Sequence, residues 1–451
     1  MKLTILGGGG FRVPLVYGAL LRDRHEPRID QVALHDVDAD RLAVVGRVLA
    51  QMAATGPDGP DAAPRVTTST DLDEALEGAD FVFSAIRVGG LAGRTADEHV
   101  ALDLGVLGQE TVGPGGIAFG LRTVPVALDV AQRVAAVAPD ARVINFTNPA
   151  GMITEAMQRV LGDRVVGICD SPIGLARRAA RALGLEPEAT YPDYVGLNHL
   201  GWLRGLLHDG VDVLPRLLAD DDLLRGIEEA RLFGTPWVRT LGALPNEYVY
   251  YYDYAREALS AVRGEPATRG DFLLQQQDAF YAQVRSTPER ALDEWRRVRR
   301  ERDESYMAEV RAEAETGDRD AADLEGGGYE GVALAYMAAQ MRGEQTRMIL
   351  DVRNGGAVPG LPADAVVEVP CHVDASGARP LATAPLPGHQ LGLLQQVKAV
   401  EQLTIEAALT GDPGLAVQAF ATHPLVDSVA TARALLDGYR AAHPALAALF
   451  G

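Results

Sequence analysis

"LTILGGGGFRVPLV", Leu3 to Val16, decides the fold. Leu3 to Leu6 read as a short buried strand. Gly7 to Gly10 then turn the chain, and Pro14 inside a second apolar run marks the first turn of a helix. Strand, glycine turn and helix start in that order suit a dinucleotide. Glycines let the backbone approach a pyrophosphate, and the helix N-terminus favours its charge. The spacing departs from G-x-G-x-x-G, because the third glycine position counted from Gly7 is Arg12. We expect Gly7, Gly8, Gly9, Gly10 and Phe11 to hold the cofactor, with Asp36 accepting a ribose hydroxyl at the end of the second strand. An acid at that place favours NAD+ over NADP+.

Outward from this unit, the pattern repeats. Further strands are expected at Val32–His35, Val66–Thr68, Phe81–Ala85, Val143–Phe146 and Val165–Ile168. Helical patterns fall between most of them, at Pro14–Arg22, Ala39–Met52, Leu121–Val137 and Gly151–Leu161. Alternation of this kind gives an α/β fold with a Rossmann-like, doubly wound parallel sheet, which binds ligands beyond the carboxyl ends of its strands. We place that NAD-binding domain at residues 1–170 and a mixed α+β domain for substrate, metal and oligomerisation at 171–451. In the second part "MILDV" and "VVEVP" read as strands, and "GGGYEG" (Gly326–Gly331) precedes a helix. The polar stretch Glu289–Glu315 reads as a solvated helix face.

Composition bounds the function. The chain has 451 residues, 47% of them apolar, and a formal charge of −20. No basic block offsets that charge, which argues against nucleic acid. Lysine occurs only at Lys2 and Lys398, so anions would meet arginine forks or backbone amides. Cys169 and Cys371 make no disulfide framework, and no apolar run approaches the ~18 residues of a membrane span. A cytoplasmic protein with no membrane partner is expected.

Several stretches could carry chemistry. "GICDSP" puts Cys169 and Asp170 just after a strand, and "GLNHLGW" supplies Asn198 and His199. Thiolate and imidazole suit a borderline divalent metal, although a cysteine ending a buried strand is more often a small core residue. A long glycine-rich connection, Arg87 to Ala118, carries Arg87 and Arg94 and leads to Arg122. Loops of this length are usually functional, and three arginines near one crossover favour an anionic ligand. "NFTNPAGM", Asn145 to Met152, ends a strand in polar groups, with Thr147 or Asn148 expected to cap a helix whose first residue is Pro149. "LPNEYVYYYDY", Leu244 to Tyr254, packs five tyrosines into seven positions. Most should pack against the core; a phenol beside positive charge can also act as a base near neutral pH.

Taken in order, "GGGGFRVP", "RVGGLAGR", "GQETVGPGG", "NFTNPAG", "GICDSP", "GLNHLGW", "PNEYVYYY", "ATRGD" and "VVEVPC" resemble glycoside hydrolase family 4, most closely its 6-phospho-β-glucosidases. This is the NAD-dependent exception among glycosidases. The resemblance implies NAD+, a divalent metal (typically Mn2+) and a redox-neutral cycle of C3 oxidation, C2 deprotonation, elimination, water addition and re-reduction. It implies that Cys169 and His199 hold the metal, that Asn148 and Asn198 bind sugar hydroxyls and that Tyr248 is the base. Arg94, Arg269 and Arg87 would hold a 6-phosphate, and Asp170 would serve as general acid. Asp170 itself resembles the 6-phospho-α-glucosidases, since asparagine is common there in β-specific members. The alternatives are therefore a 6-phospho-α-glucosidase or a glycosidase for unphosphorylated sugars. A 2-hydroxy-acid dehydrogenase would need a His–Asp relay, which no motif supplies, and a non-enzymatic NAD sensor would have no use for the Cys–His pair. A homodimer or homotetramer is expected.

Overall fold

The computed structural model describes residues 1–56, 59–308, 311 and 328–451. Among these, thirteen strands form one sheet, ordered β10-β8-β7-β12-β11-β6-β5-β4-β1-β2-β3, with β13 beside β12 and β9 beside β8. β1 (Lys2–Leu6), β2 (Gln31–His35), β3 (Arg65–Ser69), β4 (Phe81–Ser84), β5 (Arg142–Asn145) and β6 (Val165–Gly167) pair in parallel. Their order, 3-2-1-4-5-6, is that of a doubly wound dinucleotide fold, with its switch point between β1 and β4.

The antiparallel half continues the same sheet. β11 (Thr346–Arg353) pairs β6 and β12 (Val366–Asp374), and β12 pairs β7 (Thr190–Leu197) and β13 (Gly377–Pro380). β8 (Leu200–His208) joins β7, β9 (Val211–Asp212) and β10 (Leu244–Pro245). The sheet therefore runs unbroken across residue 170.

β1, β4 and β6 are buried nearly along their length because both faces are covered, whereas β3 at the sheet edge, RVTTS, is polar and largely exposed. Leu3 and Ile5 point into a core shared with helices Val13–Arg22 and Ala39–Thr55. Leu6 and Val82 point into a second core under helices Pro114–Val137, Ala150–Leu161 and Gly388–Thr410. The C-terminal helices thus return to cover the N-terminal strands.

Two local expectations change. Pro149 is the N-cap and not the first helical residue, and no side chain caps helix Ala150–Leu161. The polar stretch after Glu289 forms helix Ala291–Glu304 with Leu292, Trp295 and Val298 buried, so it is more than a solvated face. The helix ends before Ser305, and of the expected continuation to Glu315 residues 309, 310 and 312–315 lie outside the described residues, as do Gly326 and Gly327 of the glycine run before helix Tyr329–Arg342.

Candidate active site

The loops after β1, β4, β5 and β6 open into one cavity of about 1400 Å³. That is room for a dinucleotide and a sugar together, since small-ligand pockets alone run to ~1,000 Å³. Gly7, Gly10, Phe11 and Asp36 line it. Gly7 has φ +79°, and a Cβ there would meet the Ala85 carbonyl at 2.6 Å, so the turn accepts only glycine. Gly8 and Gly9 are buried behind the wall, where a Cβ would strike Leu34 and Arg41. The Gly9 amide donates to Asp36 Oδ2 at 3.0 Å, and Tyr281 and Trp295 donate to the carbonyls of Gly9 and Phe11 at 2.6 and 2.8 Å. Residues from the second half of the chain thus hold the glycine turn in shape.

The opening polar groups of Asn145–Met152 divide into two kinds. Asn145 Nδ2 donates to Thr147 O, Ala150 O and Thr154 Oγ1 within 3.2 Å, and Thr147 Oγ1 joins Ser84 Oγ at 2.9 Å and the Ile86 amide at 3.1 Å. Both side chains are spent inside the turn. Phe146 and Asn148 face the cavity, and the Asn148–Pro149 bond is cis.

Cys169, Asp170, Asn198 and His199 all line the same cavity. Asp170 begins helix Ser171–Ala182 without capping it, and its side chain is half-buried. Burial and the carboxylates of Glu368 and Asp170 push the Cys169 thiol well above its ordinary pKa. Burial lowers His199 to about 4, so its imidazole is neutral. His199 Nδ1 lies 2.7 Å from Thr111 Oγ1, and donation to that hydroxyl leaves Nε2 with its lone pair. Asn198 Nδ2 donates to the buried Glu368 at 3.2 Å.

This corner fits a cation. Cys169 and Tyr248 are both held neutral by burial and by neighbouring carboxylates, Glu368 and Asp170 for the thiol and Glu247 for the phenol. Among the described residues no group of three or more His, Cys, Asp and Glu forms a closed metal cage. A Cys–His pair on a cavity wall leaves coordination positions for substrate oxygens, as an open catalytic site requires.

Tyr248 sits in a single turn, Glu247–Val249, started by Asn246, whose Oδ1 accepts the Tyr248 amide at 3.0 Å. Its ring lies on the His199 imidazole, and its hydroxyl is 2.9 Å from that of Tyr306. Burial, Glu247 and Cys169 push its pKa well above the ordinary phenol value. With the described side chains alone the phenol therefore stays protonated, its nearest charged neighbours being acidic. Of the other tyrosines in the run, Tyr251 also lines the cavity, while Tyr250 stacks on Tyr254 at 4.8 Å and Tyr252 stands beside His423.

The arginines separate by partner. Arg94 donates to Glu110 Oε2 at 2.6 Å and Glu98 Oε1 at 2.7 Å, and Arg87 pairs with the other oxygen of Glu110. Despite burial, Arg87 and Arg94 hold the Glu110 carboxyl far below its usual range. Arg269 donates to Ser305 Oγ at 2.8 Å and the Arg302 carbonyl at 3.1 Å, at the cavity wall. Arg122 does not join them. It is buried on Asp97 through both terminal nitrogens at 2.6 Å, beside His443.

Sequence reading missed Glu110, Glu247, Arg12, Arg302 and Tyr306, all of which line the cavity. Arg12 is exposed there, 5.4 Å from the Phe146 centroid and 5.3 Å from that of Tyr329. Arg302 lies over Phe11, and its buried Nη1 has no hydrogen-bond partner among the described residues. Burial and then Arg12, Arg269, Arg87 and Arg94 lower Arg302 to about 9. Glu247 is pushed up to about 7 by burial and Glu229.

Residues 2–185 match the model of the family 4 glycosyl hydrolases, and residues 194–426 match that of their C-terminal domain. A probable 6-phospho-beta-glucosidase of Bacillus subtilis is 31% identical over 99% of this chain and 97% of its own. The solved 6-phospho-beta-glucosidase of Thermotoga maritima, holding NAD and glucose-6-phosphate, superposes with a TM-score of 0.81 at 26% identity, covering 98% of both chains. A 6-phospho-alpha-glucosidase from gut microorganisms, solved with NAD and Mn2+, gives 0.80 at 28% identity and covers 97% of both.

Proposed function

The chain belongs to family 4 of the glycosyl hydrolases, and from that premise we propose that it hydrolyses 6-phospho-β-glucosides using NAD+ and a divalent metal. The observation that carries the reading is the shared cavity. The glycine turn, Cys169, His199 and Tyr248 all open into it. Gly7, Gly10, Phe11 and Asp36 would hold the dinucleotide, and Cys169 with His199 would hold the metal, as Mn2+. When bound, these groups supply a reversible hydride acceptor for sugar C3 and a positive charge that acidifies the neighbouring C2 hydrogen.

The chain's own residues do the rest. Asn148, at the end of β5, and Asn198, fixed by Glu368, orient the sugar hydroxyls. Tyr248, ionised where the bound metal's charge would offset the burial and the acidic neighbours that keep it protonated, takes the C2 proton, so the bond from C1 to the leaving oxygen breaks by elimination. Asp170 gives that oxygen a proton, water adds at C1, and the C3 ketone is reduced back to an alcohol. Arg94 and Arg269, with Arg87, bind the 6-phosphate. The gathering of Arg12, Arg87, Arg94, Arg269 and Arg302 on this cavity's wall supports a phosphorylated substrate.

A second reading, the α-anomer, draws on Asp170 and on the likeness to the 6-phospho-alpha-glucosidase. Elimination from C2 constrains the anomer loosely once C3 is a ketone. Nitrophenyl α- and β-glucoside 6-phosphates and their dephosphorylated forms, assayed with NAD+, Mn2+ and reductant, decide the matter. The β-linked phosphate should turn over fastest. Turnover confined to the α-anomer, or equal turnover without phosphate, would replace this reading.

Among the described residues no helix is long and apolar enough to cross a membrane. We place the protein in the cytoplasm as a homodimer or homotetramer, to be read from light scattering at assay concentration.

A further inference from the structure

Tyr248 reaches the cavity from a single turn, with its ring fixed on one face by His199. A flat stack resists tilting but lets the ring slide in its own plane, and sliding carries the oxygen with it. Tyr306 closes that freedom. Its hydroxyl lies 2.9 Å from the Tyr248 oxygen and 3.5 Å from Glu247 Oε1. Glu247 Oε1 in turn accepts from Ser171 Oγ at 2.6 Å, which returns the chain of contacts to the strand end that carries Cys169 and Asp170. Tyr306 comes from the turn after helix Ala291–Glu304, 58 residues from Tyr248. The two phenols are thus held by different elements and meet at the cavity wall.

We propose that Tyr306 is a positioning residue for the C2 deprotonation, its hydroxyl holding the Tyr248 oxygen at the place where the sugar C2 hydrogen arrives. The inference rests on the reading of Tyr248 as the base. A base must stand within hydrogen-bond reach of the proton it takes. A displacement of about 1 Å at a reacting atom costs about 100-fold in rate. Tyr306 acts on one step of a multistep reaction, and that separates it from a residue that merely supports the fold.

The test is Tyr306→Phe in the NAD+- and Mn2+-loaded enzyme, beside Tyr248→Phe. Turnover should fall roughly 10- to 100-fold, the range for losing one hydrogen bond to a catalytic oxygen or displacing it. Exchange of the substrate's C2 hydrogen with deuterated water should fall in parallel. The isotope effect on kcat from deuterium at C2 should rise while that from deuterium at C3 shrinks, because only one of the two hydrogen transfers is slowed. NAD+ affinity and KM should stay within about two-fold, because the loss falls on the deprotonation step. Unchanged C2 exchange in Tyr306→Phe would overturn the inference. So would a variant in which both isotope effects and NAD+ affinity decline together, the mark of a structural role. If Tyr248→Phe itself exchanges at the wild-type rate, the assignment of the base fails, a result distinct from either.

Discussion

The ring of Tyr248 lies flat on the imidazole of His199, with centroids 3.7 Å apart and planes 10° from parallel. The expected base and an expected metal ligand therefore pack face to face. Tyr248→Phe keeps the stack and deletes only the oxygen. Turnover should fall about 100-fold or more, the usual scale for a general base, while NAD+ binding and folding survive. Retained turnover in Tyr248→Phe with loss in Tyr251→Phe, the other cavity tyrosine of the run, would move the assignment.

Cys169→Ser replaces the proposed metal ligand by a hydroxyl that ionises far less readily. Mn2+ affinity, read from the paramagnetic resonance of the free ion, should drop at least about 10-fold. In the wild type, affinity should also rise with pH. The buried thiol must lose its proton to bind, and its pKa stands well above the ordinary value. Wild-type metal affinity in the serine variant would remove Cys169 from the site.

Arg122 is structural. It is bidentate on Asp97, which also meets His443 Nε2 at 2.8 Å and so ties the C-terminal helices to the glycine-rich connection. Arg122→Met leaves Asp97 buried without its cation, a loss of about 3–5 kcal/mol. The midpoint of denaturant unfolding should fall accordingly, with phosphate selectivity unchanged in the folded fraction. A shift in selectivity without loss of stability would return Arg122 to the substrate site.

The fold and the substrate site were legible in the sequence to different degrees. The strands from Lys2 to Gly167 fall within a residue or two of their sequence positions, because all but β3, RVTTS, are short apolar runs closed by local turn chemistry. The glycine run was legible for the same reason, although Gly8 and Gly9 pack against Leu34 of β2 and Arg41 of the following helix and lie behind the cavity wall. Glu110 was hidden in "GQETVGPGG", where nothing local says that both its oxygens will meet arginines. Tyr306 was hidden in a polar stretch whose periodicity suits a solvent face. The available signal was Trp295 and Tyr306, two large aromatics inside an otherwise charged segment. Contacts spanning 58 residues, such as Tyr306 to Tyr248, have no local signature.

Asp351 gives the fold a pH dependence. It is fully buried on β11 opposite Gly167, and neither carboxylate oxygen has a hydrogen-bond partner among the described residues. Burial and Glu401 raise its pKa to about 8, against the opposing pull of Lys398. The folded state therefore binds this proton more tightly than the unfolded chain does. Its contribution is complete below about pH 4 and is lost as pH climbs to the folded value. Unfolding midpoints should decline between pH 5 and 9 more steeply in wild type than in Asp351→Asn. Parallel slopes would show that Asp351 is ionised in the folded protein.

The central claim is that the glycosidic bond breaks by way of C2 deprotonation in a cavity that also holds a nucleotide. The most direct test is the mass of the sugar phosphate released during turnover in deuterated water with NAD+ and Mn2+. Elimination and re-addition through Tyr248 predict glucose 6-phosphate carrying deuterium bound to C2. Release of the sugar phosphate at full rate with only hydrogen at C2 would contradict the account and point to direct displacement at C1.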